Sequence, residues 1–133
     1  MNQIQQTKKF FIEYWNALSG QPKPEELIRK YVADERLVQH ILFFESIFPE
    51  YRMIPHEVIA EEDRLFVRAS LQANHSGELE DLPATNKQVD APFALGYRIR
   101  DGKIVNFWAI ADQMDLLQQL GLSAEQIEVQ PVI

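Results

Sequence analysis

The sequence predicts an α+β fold, with N-terminal helices packed on a curved antiparallel sheet. Two observations carry the prediction. Apolar residues recur at helical spacing as far as Phe48, then alternate at strand spacing from Arg52 to Ala111. Within that second region "DG", Asp101 and Gly102, joins two long apolar runs, as a hairpin turn does. No repeat, low-complexity tract or linker divides the 133 residues, so one domain over 1–133 is expected. A long sheet curved around helices should leave a cavity at its mouth.

The elements follow in order. Residues 3–18 read as a helix, with Ile4, Phe11, Trp15 and Leu18 near one face and Gly20 and "QPKP" after its end. Pro24 opens a short helix, "PEELIRKYV", where its missing N–H costs little. Asp34 is a plausible N-cap for a third helix to about Phe48, whose stripe is Leu37, His40, Ile41, Phe44 and Phe48. "RMIPHEVIAE" is a strand that Pro55 assigns to an edge or a bulge. In "RLFVRASLQANH" the residues Leu65, Val67, Ala69, Leu71 and Ala73 face one way, and polar residues face the other. "SGELEDLPATN" is a loop. "KQVDAPFALGYRIR" carries an apolar face from Val89 to Ile99. "KIVNFWAIA" is apolar on both faces, as a central strand is. A helix over about Gln113–Leu120 ends at Gly121, and the tail "SAEQIEVQPVI" suits an edge strand or a partner chain.

Composition excludes several function classes. The net charge is −7, and Lys8-Lys9 is the longest basic run, which argues against nucleic acid and anionic membrane as partners. No cysteine is present, so disulfides and thiolate nucleophiles are out. The N-terminus shows no signal peptide, and no apolar run approaches the roughly 20 residues of a bilayer span. A soluble, cytoplasmic protein is expected. Ser46, Ser70 and Ser76 lack a nucleophile-elbow setting, and the 5 glycines form no phosphate loop. The three histidines show neither H-x-H nor H-E-x-x-H spacing, so no metal site is expected.

Asp112, at the junction of the last strand and helix, admits two readings. It can cap the helix, with Asp115 adding favourable charge. Alternatively, Ile104, Trp108 and Asp112 fall on one strand face, which could carry the carboxylate into an apolar cavity and raise its pKa toward working pH. His75 ends the apolar face of its strand and is placed at the same cavity, where it would orient a ligand or steady an oxygen. His40 lies on an apolar stripe, where a satisfied core histidine is the usual case; helices over the sheet mouth also make it a pocket candidate. His56 reads as surface, and Arg68 and Arg98 as salt-bridge partners. Trp15, Phe44, Phe93, Phe107 and Trp108 read as core, some of which could also line a pocket for a hydrophobic ligand.

"FPEYRMIPHEVIAEEDRLFVRASLQANHSGEL" followed by "YRIRDGKIVNFWAIADQMDLLQQLG" resembles SnoaL-like polyketide cyclases, a family of the nuclear transport factor 2-like superfamily. The likeness runs from about Asp34 to Gly121. It implies a cone-shaped α+β barrel, a cofactor-free pocket, a homodimer and an Asp acting as acid and base. By position that Asp is Asp112, and a family histidine matches His75 in "ANH". The sequence departs from the family's "G-T-H" at Ala73 and Asn74, and from its Gly-rich loop at Asn86, while Leu82, Pro83 and Thr85 agree.

The function expected is therefore that of a small-molecule pocket protein that moves a proton next to a carbonyl, in an aldol-type cyclisation or an isomerisation, without cofactor. Asp112 and His75 would be catalytic, and Trp15, His40, Phe44, Phe93 and Trp108 would contact the substrate. The alternatives are a binding protein for a hydrophobic metabolite and a dimeric interaction module that uses an exposed sheet face around Phe66.

Overall fold

Helix α1 (Gln3–Leu18) starts at a reciprocal cap. The Gln5 N–H donates to Asn2 Oδ1 at 2.9 Å, and the Asn2 N–H donates to Gln5 Oε1 at 3.0 Å. Its buried stripe is Thr7, Phe11, Tyr14, Trp15 and Leu18, while Ile4 is exposed on the first turn. Helix α2 (Glu25–Tyr31) follows Pro24, and α3 (Glu35–Ile47) is capped by Asp34, which accepts the Arg36 N–H at 3.0 Å. The computed structural model describes residues 1–78 and 83–121. Leu82 and the "SAEQIEVQPVI" tail, each given a role from sequence, lie outside the described residues.

Four antiparallel strands follow: β1 (Arg52–Glu61), β2 (Arg64–Asn74), β3 (Gln88–Arg100) and β4 (Lys103–Ala111), in spatial order β1-β2-β3-β4. Helix α4 (Gln113–Gln119) closes the described chain. The inner sheet face and the helices α1 to α3 share one core, from Phe11 and Trp15 through Ile41 and Phe44 to Leu65, Leu95 and Tyr97. This α+β arrangement is the predicted one. No helix among the described residues is long and apolar enough to cross a membrane.

Two bulges curve the sheet. In β1 the register slips between Pro55 and Glu57, so His56 is the extra residue. Its strand is an edge as well, and Pro55 therefore satisfies both halves of its sequence reading. In β4, Arg98 pairs with Asn106 and Ile99 with Ile104, which leaves Val105 as the extra residue. The chain before α3 docks there: the Ala33 and Asp34 N–H groups donate to the Ile104 carbonyl at 2.8 and 3.1 Å.

The second bulge overturns two expectations. One extra residue moves every later side chain to the opposite face. Ile104 is buried, but Trp108 is 44% exposed, and the inward positions become Phe107, Ala109 and Ala111. Strand β4 is also an edge of the described sheet and not a central strand. Its two apolar faces have different fates: one enters the core, while the other carries Trp108 and Ile110 into the open.

Candidate functional site

The inner sheet face and α3 enclose an apolar cavity of about 40 Å³. Its polar lining is His40 from α3, Tyr14 from α1, Tyr97 from β3 and Tyr51 from the turn before β1. Phe44, Phe93 and Leu95 supply most of the apolar wall, with Phe107 and Ala109 from β4. Tyr14 reaches it because Phe11, Tyr14 and Leu18 fall on one helical face; Tyr97 does so because β3 alternates Phe93, Leu95 and Tyr97 inward. His40, Met53, Phe107 and Ala109 are only half-buried, and they form the mouth.

Burial sets the protonation of these groups. The Tyr14 hydroxyl is pushed up to about 12 by desolvation, partly offset by a side-chain hydrogen bond with Tyr97. Burial also holds the Tyr51 and Tyr97 hydroxyls well above their ordinary range. All three are therefore neutral donors near pH 7. Loss of solvent lowers the affinity of His40 for a proton, so its imidazole is neutral and able to accept one. The ring packs against Phe44 at 5.7 Å and Phe107 at 5.9 Å between centroids.

The structure separates the residues singled out from sequence. His40, Phe44 and Phe93 line the cavity. Trp15 does not: it packs on Phe11 and spends its indole N–H on the Met53 carbonyl at 2.7 Å. Trp108 is turned out by the β4 bulge and lies over Gly96 on the outer face. Asp112 is exposed, and its Oδ1 accepts the Asp115 N–H at 2.9 Å, the geometry of a helix cap. His75 is fully buried beside Phe48, outside the cavity. The expectation that Asp112 and His75 share one hollow is thus corrected. The strand phase assigned to Asp112 breaks at Val105, and His75 faces inward beyond the end of β2.

His75 has a structural task. The Thr85 N–H donates to His75 Nδ1 at 3.2 Å, and the Thr85 hydroxyl lies 2.9 Å from the same nitrogen. Nδ1 is then an acceptor and the proton sits on Nε2, which has no hydrogen-bond partner among the described residues. Burial lowers the pKa of the ring, while the Gly77 backbone raises it by less. Arg68 pairs with Glu57 at 2.8 Å, and Arg98 lies 3.9 Å from Asp63. His56 is exposed, with Nε2 at 2.7 Å from Ser70 Oγ. Among the described residues no three His, Asp or Glu side chains converge as a metal-binding group.

Three phenols of the site are not assigned to it by the sequence, whereas Phe107, read as core that could line a pocket, does line it. Tyr14 and Tyr97 carried a signal, their inward phase, although that phase looks the same for a core tyrosine. Tyr51 lies outside any periodic segment and carried none.

The model of the SnoaL-like polyketide cyclase family matches residues 20–120. Among solved structures the chain is similar to AclR of Streptomyces galilaeus, a candidate hydroxylase, at 23% identity and TM-score 0.75 over 97% of this chain and 87% of that one. It is similar to IdmH of Streptomyces antibioticus, a candidate polyketide cyclase, at 21% identity and TM-score 0.71 over 88% and 99%. A SnoaL-like cyclase candidate from Jannaschia sp. CCS1 superposes with TM-score 0.77 at 15% identity, over 90% and 94%. These likenesses establish the fold. No curated protein sequence matches the chain.

Proposed function

The chain belongs to the SnoaL-like polyketide cyclase family, and from that premise we propose that it binds a small apolar carbonyl compound in the α3–sheet cavity and moves a proton on the carbon next to the carbonyl. The observation that carries this reading is the company His40 keeps: a neutral imidazole and three neutral phenols on the wall of one apolar hollow. A base and a set of hydrogen-bond donors are the two parts that enolate chemistry needs.

The steps balance without a cofactor. His40 takes the proton from carbon, and the electron pair moves onto the carbonyl oxygen. The neutral hydroxyls of Tyr14, Tyr51 and Tyr97 stand on the same wall and supply the hydrogen bond to that oxygen. Delivery of the His40 proton to a different carbon completes an isomerisation. Attack of the enolate carbon on a second carbonyl in the same molecule, with the proton going to the new alkoxide, completes an aldol-type ring closure. An apolar wall strengthens the hydrogen bonds to that oxygen. At about 40 Å³ the hollow is well below the roughly 300 Å³ of a drug-sized site. A larger ligand requires His40 and Phe107 to swing aside at the mouth. Asp112 keeps its capping role here, and no part of the mechanism passes through it.

The protein purified from its host and examined by native mass spectrometry and crystallography tests the reading. A carbonyl compound seated between His40 and the tyrosines supports it, and a ligand on any other surface overturns it.

The same reading includes a homodimer. Ile59, Phe66 and Trp108 occupy one cross-strand row of the outer sheet face, interrupted only by Gly96, and Ile110 stands beside it. All four are exposed. A row of this kind on a surface of net negative charge suits a second copy of the chain.

A further inference from the structure

Lys23 is the one charged side chain in the described core that the proposed chemistry does not use. It lies between Pro22 and Pro24 in sequence, and its side chain is 0% exposed. Three oxygens take its three protons: the Gln21 carbonyl at 2.9 Å, Glu45 Oε1 at 3.1 Å and the Tyr51 carbonyl at 3.1 Å. Its Nζ also stands 3.9 Å from the centroid of the Tyr51 ring. Tyr51 is a wall of the cavity.

Burying an ammonium costs several kcal/mol, so the contact calls for a reason. Joining two carbonyls is not enough, because a neutral amide donor could do it at lower cost. What a cation adds is its pairing with the Glu45 carboxylate and its action on the Tyr51 ring. A positive charge on the face of an aromatic draws on its π density, and in a phenol that strengthens the O–H as a donor. We propose that Lys23 is a positioning residue of the cavity: it fixes Tyr51 from behind and polarises its ring so that the phenol binds a ligand oxygen more strongly. The proposal rests on the cavity reading above for its use, though not for its test.

The surroundings suit this role. Glu45 on α3 and Glu50 in the turn before β1 are the carboxylates that face the ammonium, and both favour its charged form. Glu45 is held in turn by the Glu50 N–H at 2.9 Å. Burial acts the other way and prevails, so Lys23 loses its proton below the ordinary 10.5. The Tyr51 phenol ionises only far above that point. The Lys23 charge can therefore be switched off while Tyr51 remains a neutral phenol.

The experiment uses the full chain without ligand, labelled with ¹³C at tyrosine Cζ, lysine Cε and the phenylalanine rings and titrated from pH 6 to 10.5, with Phe44 assigned by Phe44→Leu. Tyr51 is assigned with Tyr51→Phe. The Tyr51 Cζ signal is expected to show one step whose midpoint coincides with that of Lys23 Cε, while the ring of Phe44, in edge contact with Tyr51 at 5.2 Å, keeps its shift. Lys23→Arg, charged throughout, and Lys23→Met, never charged, should each abolish the step. A flat Tyr51 signal across the Lys23 titration, a step that survives in Lys23→Met, or a Phe44 shift that moves with it would each overturn the proposal. If neither variant folds, the wild-type titration decides alone. Because no ligand is present, failure here leaves the cavity reading standing, and failure of the cavity reading leaves this result unaffected.

Discussion

Asp112 and His75 each take their role from a few ångströms of surroundings. Asp112 caps α4, so Asp112→Ala should cost about 1 kcal/mol and lower Tm by roughly 4 °C, while Asp112→Asn should stay within a few tenths of wild type. Thermal unfolding followed by circular dichroism reads both. For His75 the sign follows from linkage. Its folded pKa lies below that of the unfolded chain, and the unfolded state therefore binds more protons as pH falls through 6.5. Its stabilisation is complete above 6.5 and is lost on acidification. His40 shifts in the same direction and adds to the loss. Tm should fall from pH 7 to pH 5, and the fall should be shallower in His75→Gln; a Tm independent of pH over that range would contradict the burial of both rings. The sequence showed that His75 ends an apolar face. It could not show that Thr85, ten residues on, would occupy Nδ1 and so leave no base for a ligand.

Among the elements, β4 decided most. The strands β2 and β3 are legible because their two faces differ: the inward face is apolar throughout and the other carries polar residues, so the phase can be read from either end. "KIVNFWAIA" offers no such contrast, and a one-residue bulge in it leaves no trace in the pattern. Ala33 and Asp34 dock on the Ile104 carbonyl beside the bulge, a contact between segments some seventy residues apart. The changed placements of Trp108 on β4 and of Asp112 just after it both follow from that single shift. Gly96 provides a check on the new phase. A Cβ at Gly96 would lie 2.3 Å from the Trp108 indole nitrogen, so Gly96→Ala should cost about 1–3 kcal/mol. The cost should largely vanish in a Trp108→Ala background, as a double-mutant cycle in urea would show. A neutral Gly96→Ala would mean that the indole does not cover the glycine.

At the scale of the whole molecule, the described strands form a sheet that two bulges curve into a trough, α1 to α3 fill it, and the two faces of that sheet take different tasks. The outer row of Ile59, Phe66, Trp108 and Ile110 predicts a dimer by sedimentation equilibrium, converted to monomer by Phe66→Glu with Trp108→Glu; a wild-type monomer would remove this part of the account. The inner face predicts chemistry. Proton transfer by neutral His40 should be complete at pH 7 and lost on acidification through a midpoint below 6.5, since burial lowers its pKa. The most direct measurement follows the exchange of the α-protons of cyclopentanone for deuterium by NMR, a small ketone that enters once His40 and Phe107 swing aside. Wild type should accelerate exchange, His40→Gln and Tyr14→Phe should lose that acceleration, and Asp112→Asn should keep it. Absence of acceleration by wild type, or its loss in Asp112→Asn with retention in His40→Gln, would contradict the account.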